Sequence, residues 1–167
     1  HQKSLALFRM TAQTELAKWN TTRFGTVFLT CASVLREMEA LRVTVVKKEW
    51  DEWASKKEYA KEAMQTKKMI LTETFWRNLD LVVKITGKVF KVLRLLDSDS
   101  PSMPYIFEWW LGLENEISEL QTVPGVLTER DIQLLRRSVQ ERWTGCHAHL
   151  HSAGFLLNPR NLSLIHI

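Results

Sequence analysis

The chain has 167 residues, a length that one domain of about 100–200 residues accommodates and that suffices to bury a core. With 45% hydrophobic and 25% charged residues, 6 Gly and 4 Pro, its composition excludes collagen-like, low-complexity and wholly disordered chains. The formal charge of +4 conceals a split: 18 Lys+Arg face 10 Asp+Glu up to Leu96, and 5 face 9 from Asp97 onward. Such asymmetry suits a polyanion partner for the basic part, or simply the solvated faces of ordinary helices.

The pattern in chain order is helical. Asn20 is a candidate N-cap for a long first helix, whose apolar residues Phe24, Val27, Phe28, Cys31, Val34, Leu35, Met38, Leu41 and Val45 recur in a helical rhythm. A turn or short helix is expected over 47–53, then a polar helix over 56–70 with a thin stripe at Tyr59, Ala63 and Ile70. Thr72 is expected to cap the next helix, with a core stripe of Phe75, Leu79, Val82, Thr86, Val89, Phe90, Leu93 and Leu96.

On the other side of that helix stand Arg77, Lys84, Lys88 and Lys91, spaced 7, 4 and 3 residues apart. At about 100° per residue they share a sector of roughly 60°, which reads as free of acids. A row of cations on a rigid helix can neutralise successive phosphates without reading bases. Trp76 lies on the flank of this face. Two readings stay open for it: an aromatic platform for an extruded base, or a ring packed beside Leu79 and Val83.

Asp97-Ser98-Asp99-Ser100-Pro101-Ser102-Met103-Pro104 is a break rich in turn formers. A helix over 105–120 carries Trp109, Trp110 and Leu113 and ends at Val123-Pro124-Gly125. Thr128 and Asp131 form an approximate capping box for a helix with Ile132, Leu135, Val139 and Trp143 on its buried side. A last helix over 147–157 stops at Asn158-Pro159, and no period-2 strand is evident.

Other chemistry is poorly served. Cys146, His147, His149 and His151 invite a zinc reading, but one tetrahedral ion cannot take all four from a single turn and no second pair stands at finger spacing. The expectation is therefore packing and capping histidines and no metal site. No Gly-x-Ser-x-Gly, Gly-rich phosphate loop or His-Glu-x-x-His occurs, so no catalytic constellation and no small-molecule substrate are expected. Two cysteines and the lack of a leader pattern predict a reducing compartment. The longest run without Asp, Glu, Lys or Arg, 143–159, is interrupted by three His and two Gly and is too short for a spanning helix of roughly 20 apolar residues, so no membrane role is expected. The chain starts at His1 rather than Met, and is expected to be a fragment.

The segment Thr22-Arg23-Phe24-Gly25-Thr26-Val27-Phe28-Leu29 resembles the Thr-Arg-Phe-Ala-Thr-x-Phe-Leu segment of plant hAT-superfamily transposases and their domesticated relatives, with Gly25 in place of the usual Ala. Further landmarks follow in register: Glu49-Trp50-Asp51-Glu52-Trp53, Phe75-Trp76, the 89–99 stretch Val-Phe-Lys-Val-Leu-Arg-Leu-Leu-Asp-Ser-Asp, Pro101-Ser102-Met103, and the 150–159 stretch ending Leu157-Asn158-Pro159. The likeness covers about 5–160.

The resemblance implies an all-α, multi-helix insertion domain of a ribonuclease H-like transposase, with the catalytic sheet not included. Residues 1–19 would lead in from the ribonuclease H-like core, 20–160 would form the helical insertion, and 161–167 would be an atypical tail of artefactual origin. The two catalytic Asp of the family lie upstream of the Thr-Arg-Phe motif and its Glu downstream of Leu-Asn-Pro. The fragment is thus expected not to be an enzyme by itself and to hold no cofactor, the divalent metal belonging to the parent's catalytic core. Expected partners are DNA and, through the full-length parent, another copy; the expected location is the nucleus. By resemblance, Trp76 matches an insertion-domain Trp that stabilises a flipped base. The DNA-binding set is then Arg77, Lys84, Lys88, Lys91 and Trp76. The competing expectation is a helical dimerisation domain with a merely solubilising basic face.

Overall fold

The computed structural model describes residues 2–20, 25–55, 60–99 and 101–162, and over these the protein is all-α. The one pairing of extended backbone among them is an isolated bridge between Val123 and Leu127. None of the described helices is long and apolar enough to cross a membrane. The chain divides into two compact units, His1–Thr86 and Gly87–Ile167.

The first unit contains α1 (Gln2–Arg9), α2 (Thr26–Arg36), α3 (Met38–Val46), α4 (Lys48–Ala54), α5 (Ala60–Leu71) and the first part of α6 (Glu73–Leu96). Its core joins Val45, Trp50, Trp53, Ala63, Ile70 and Trp76, with Leu35, Met38, Leu41, Phe75 and Leu79 packed around them. Trp50 and Trp53 tilt against each other with ring centroids 5.0 Å apart. Burying such large apolar rings is the main favourable term holding these short helices, which are too short to persist alone in water.

The expected long first helix is two helices. Its apolar rhythm runs on, but Glu37 leaves helical geometry (φ −92°, ψ 21°) and separates α2 from α3. The break serves a polar junction: the buried Glu37 carboxylate accepts the backbone N–H groups of Gln13 (3.1 Å) and Thr14 (3.0 Å) and the Thr14 hydroxyl (2.6 Å). Ser33 similarly accepts the Ala17 N–H at 2.9 Å. These anchors tie the non-helical stretch after α1 to the α2–α3 junction.

Two expected caps are corrected. The N-cap of α2 is Gly25, not Asn20, and Gly25 is left-handed (φ 76°), a conformation in which a Cβ is strained. The Thr72 hydroxyl donates back to the Lys68 carbonyl at 2.7 Å, finishing α5 rather than capping α6. Tyr59 and the Thr22-Arg23-Phe24 motif lie outside the described residues.

The second unit holds the rest of α6, a 3₁₀ turn at Met103–Tyr105, α7 (Ile106–Ser118), α8 (Glu129–Cys146), α9 (His149–Leu156) and α10 (Pro159–Leu162). Leu113, Ile117, Leu127 and Ile132 are its buried apolar residues. Trp110 stacks on Trp143 at 5.0 Å, and Phe107 tilts against Trp143 and Phe155. The α8 capping box forms as expected, the Asp131 N–H donating to Thr128 Oγ1 and the Thr128 N–H to Asp131 Oδ2. At Gly154 a Cβ would stand 3.3 Å from the Met103 carbonyl oxygen, so the glycine lets α9 approach the 3₁₀ turn. Asn158 does stop α9, and it also starts α10: its side-chain oxygen accepts the Arg160 N–H at 3.1 Å, with Pro159 following as the first helical residue.

Candidate nucleic-acid interface

Helix α6 runs 24 residues and carries all five residues expected to touch DNA. It has an acidic first turn at Glu73 and a basic last turn at Arg94, both favourable to the helix dipole. Its first part is anchored by Trp76, Phe75 and Leu79 in the core of the first unit.

That anchoring decides the state of Trp76. The residue is 2% exposed, its indole N–H donates to the Ile70 carbonyl at 2.7 Å, and its ring meets Phe75 edge-on at 5.0 Å. The Arg42 guanidinium sits 5.6 Å from the ring centroid. With its surroundings occupied by protein, the ring offers no platform for a base, and the flank position inferred from spacing is corrected to a core position. Helical phase puts Trp76 at the border of the basic face, but a bulky ring at a border turns inward where neighbouring helices leave room.

The four cations also differ from one another. Arg77 and Lys91 are exposed and make no ion pair with any described residue. Lys84 is paired with Asp80 one turn earlier, Nζ to Oδ2 2.7 Å. Lys88 is paired with Glu116 of α7, and only about a third of its side chain is exposed. The sector expected to be free of acids therefore has two counterions. Asp80 was detectable, since it stands four residues before Lys84. Glu116 was not, because it is 28 residues away in sequence and reaches Lys88 only through packing. Arg94 is a further exposed cation of α6, outside the sector and with no ion pair among the described residues.

The apolar stripe of α6 is likewise corrected. Val82, Val89 and Leu96, expected in the core, are 41%, 39% and 40% exposed. In the second unit Val89 and Leu96 border an apolar cavity of about 350 Å³ walled by Trp109, Trp110 and Trp143.

The Cys146–His151 cluster serves local structure. His147 lies 4.5 Å from Trp143, ring to ring, with its Nε2 3.0 Å from Ser152 Oγ. His151 Nδ1 accepts the Ala148 N–H at 3.0 Å at the start of α9. Among the described residues no group of three or more His, Cys, Asp or Glu side chains is placed to hold a metal ion. His166 lies outside them.

Comparison of the chain with protein-family models, curated proteins and solved structures gave no match. The likeness to hAT transposases rests on sequence motifs alone.

Proposed function

We propose that this chain is the helical insertion of an hAT-like transposase or transposase-derived protein. It contributes DNA contacts and shape to a nuclear, metal-dependent strand-transfer machine whose catalytic acids lie outside it. One observation carries the DNA reading: Arg77 of the first unit and Lys91 of the second are exposed and make no ion pair with a described residue. Exposed cations of this kind can neutralise backbone phosphates. Lys84 and Lys88 join them when their carboxylates release them. Trp76 packs inside the first unit and does not stack on DNA.

The test is binding of the 167-residue chain to a labelled duplex over a series of salt concentrations. Affinity is expected to fall steeply with salt. The double variant Arg77→Glu, Lys91→Glu is expected to bind at least about tenfold more weakly, with a logarithmic slope shallower by about 0.9 for each phosphate no longer neutralised. Salt-independent binding, or an unchanged double variant, would exclude this mechanism.

The exposure of Val89 and Leu96 in the second unit favours a second reading, a helix-packing surface for another copy. They stand seven residues apart, the spacing of a coiled-coil seam. Sedimentation at several concentrations, with and without DNA, separates the two: mass that rises with concentration in the absence of DNA supports self-association.

A further inference from the structure

Lys88 is held differently from the other cations of α6, and its setting reads as a built restraint. The Lys88 stem passes over Gly112 of α7, where a Cβ would be 3.9 Å from Lys88 Cε. Glu116, one turn beyond Gly112 on the same side of α7, takes the ammonium. The Lys88 stem thus lies at contact distance from α7 at Gly112, and the carboxylate four residues on holds its ammonium. Lys88 and Lys91 together line an open cavity of about 440 Å³, whose other walls include Glu108, Trp109 and Asn115. Lys91 is exposed there and makes no ion pair with a described residue, whereas Lys88 is already neutralised.

We propose that Glu116 is an internal counterion that locks Lys88 away from DNA, and that a backbone phosphate entering beside Lys91 exchanges for Glu116 on the Lys88 ammonium. This rests on the DNA reading of α6 and adds its regulation. The exchange is chemically balanced: one carboxylate–ammonium pair opens, one phosphate–ammonium pair forms, and Glu116, about half exposed, returns to water. Because both partners of the pair are partly solvated, the lock is weak enough for a polyanion to open and strong enough to withhold one cation until it does. The flexible four-carbon stem of lysine allows the ammonium to swing between the two anions without moving the helix.

The experiment compares Glu116→Gln with Glu119→Gln, which removes an equal charge from an exposed glutamate outside the lock. Duplex affinity of the whole chain is measured against salt for wild type and both variants, with circular dichroism and thermal melting as controls for folding. Glu116→Gln is expected to bind about three- to fivefold more tightly at low salt, because no carboxylate has to be released, and to keep the wild-type salt slope, because the same phosphates are neutralised. Glu119→Gln is expected to give a clearly smaller gain. Adding Lys88→Gln to Glu116→Gln should abolish the gain and make the slope shallower by about 0.9. Equal gains in the two glutamate variants, or a gain that survives removal of Lys88, overturns the lock while leaving salt-dependent DNA binding intact. Absence of salt-dependent binding in wild type and Glu116→Gln alike overturns the DNA reading and the lock with it. If Glu116→Gln does not fold, the exchanged pair Lys88→Glu, Glu116→Lys restores the ion pair and is expected to show the wild-type slope; a steeper slope there counts against the lock.

Discussion

Trp76 shows how one ring can be assigned opposite roles by phase and by packing. Its indole N–H is bonded to the Ile70 carbonyl, and its 2% exposure leaves no surface for a ligand. Trp76→Phe keeps much of the apolar bulk but removes the donor, leaving a buried carbonyl short of a partner, and is expected to cost about 1–3 kcal/mol. Trp76→Ala also opens a cavity and should cost about 3–5 kcal/mol. Denaturant unfolding measures both. The same Phe variant separates the two readings of the residue: a core ring loses stability while the folded protein keeps its DNA affinity, whereas a stacking ring loses affinity with stability unchanged.

Glu37 makes the corresponding point for the elements. Periodicity marked Val34, Leu35, Met38, Leu41 and Val45 correctly, although Val27 of the same expected stripe is 55% exposed, but it could not reveal that a carboxylate interrupts the helix, because Val34, Leu35, Met38 and Leu41 keep their rhythm across the break. What breaks the helix comes from elsewhere in the sequence, the backbone of Gln13 and Thr14. The Thr14 hydroxyl bond holds the Glu37 carboxyl below its ordinary 4.5, the Gln13 and Thr14 amides and Arg36 (3.7 Å) adding to this against the opposing effect of burial. A carboxylate whose folded pKa is depressed contributes stability that is fully present above its unfolded pKa and lost as pH falls through the folded one. Hydrogen exchange at the Gln13 and Thr14 amides, corrected for intrinsic rate, is therefore expected to lose protection as pH drops below about 4.5, and Glu37→Gln should show reduced protection already at neutral pH. Protection of these amides that is independent of both pH and the substitution would deny Glu37 this anchoring role. The basic row of α6 was legible by the same kind of spacing argument that failed at Glu37. Its residues all belong to one helix, whereas the pairing of Lys88 depends on a neighbour. Val82, Val89 and Leu96 mark the limit from the other side: a period gives the direction of a face and not what covers it.

At the scale of the whole chain, length and composition suggested one core, and the structure divides the buried apolar residues between two units. The first draws on Val45, Trp50, Trp53 and Trp76, the second on Leu113, Ile117, Leu127 and Ile132. Val45 belongs to α3, whose start the apolar rhythm does not mark, and the division between the units falls inside α6, where the rhythm continues. The second unit gathers its aromatics at the surface of that core, Trp110 against Trp143 and Phe107 between Trp143 and Phe155, leaving Ile132 at 1% exposure as its most buried residue. Deleting three carbons there leaves a space that no neighbouring side chain can fill without moving a helix, so Ile132→Ala is expected to cost about 2–5 kcal/mol. If each unit opens as its own cooperative body, the loss of hydrogen-exchange protection will fall on Gly87–Ile167 and spare the amides of α3, α4 and α5. A uniform loss throughout the chain would show instead that the two cores unfold as one. The outcome bears on the proposed DNA contacts of α6, because Arg77 belongs to the first unit and Lys91 to the second. An Ile132→Ala variant that unfolds only the second unit should therefore lose the Lys91 contribution to DNA affinity while retaining that of Arg77, and the salt slope measured on it reads the two separately.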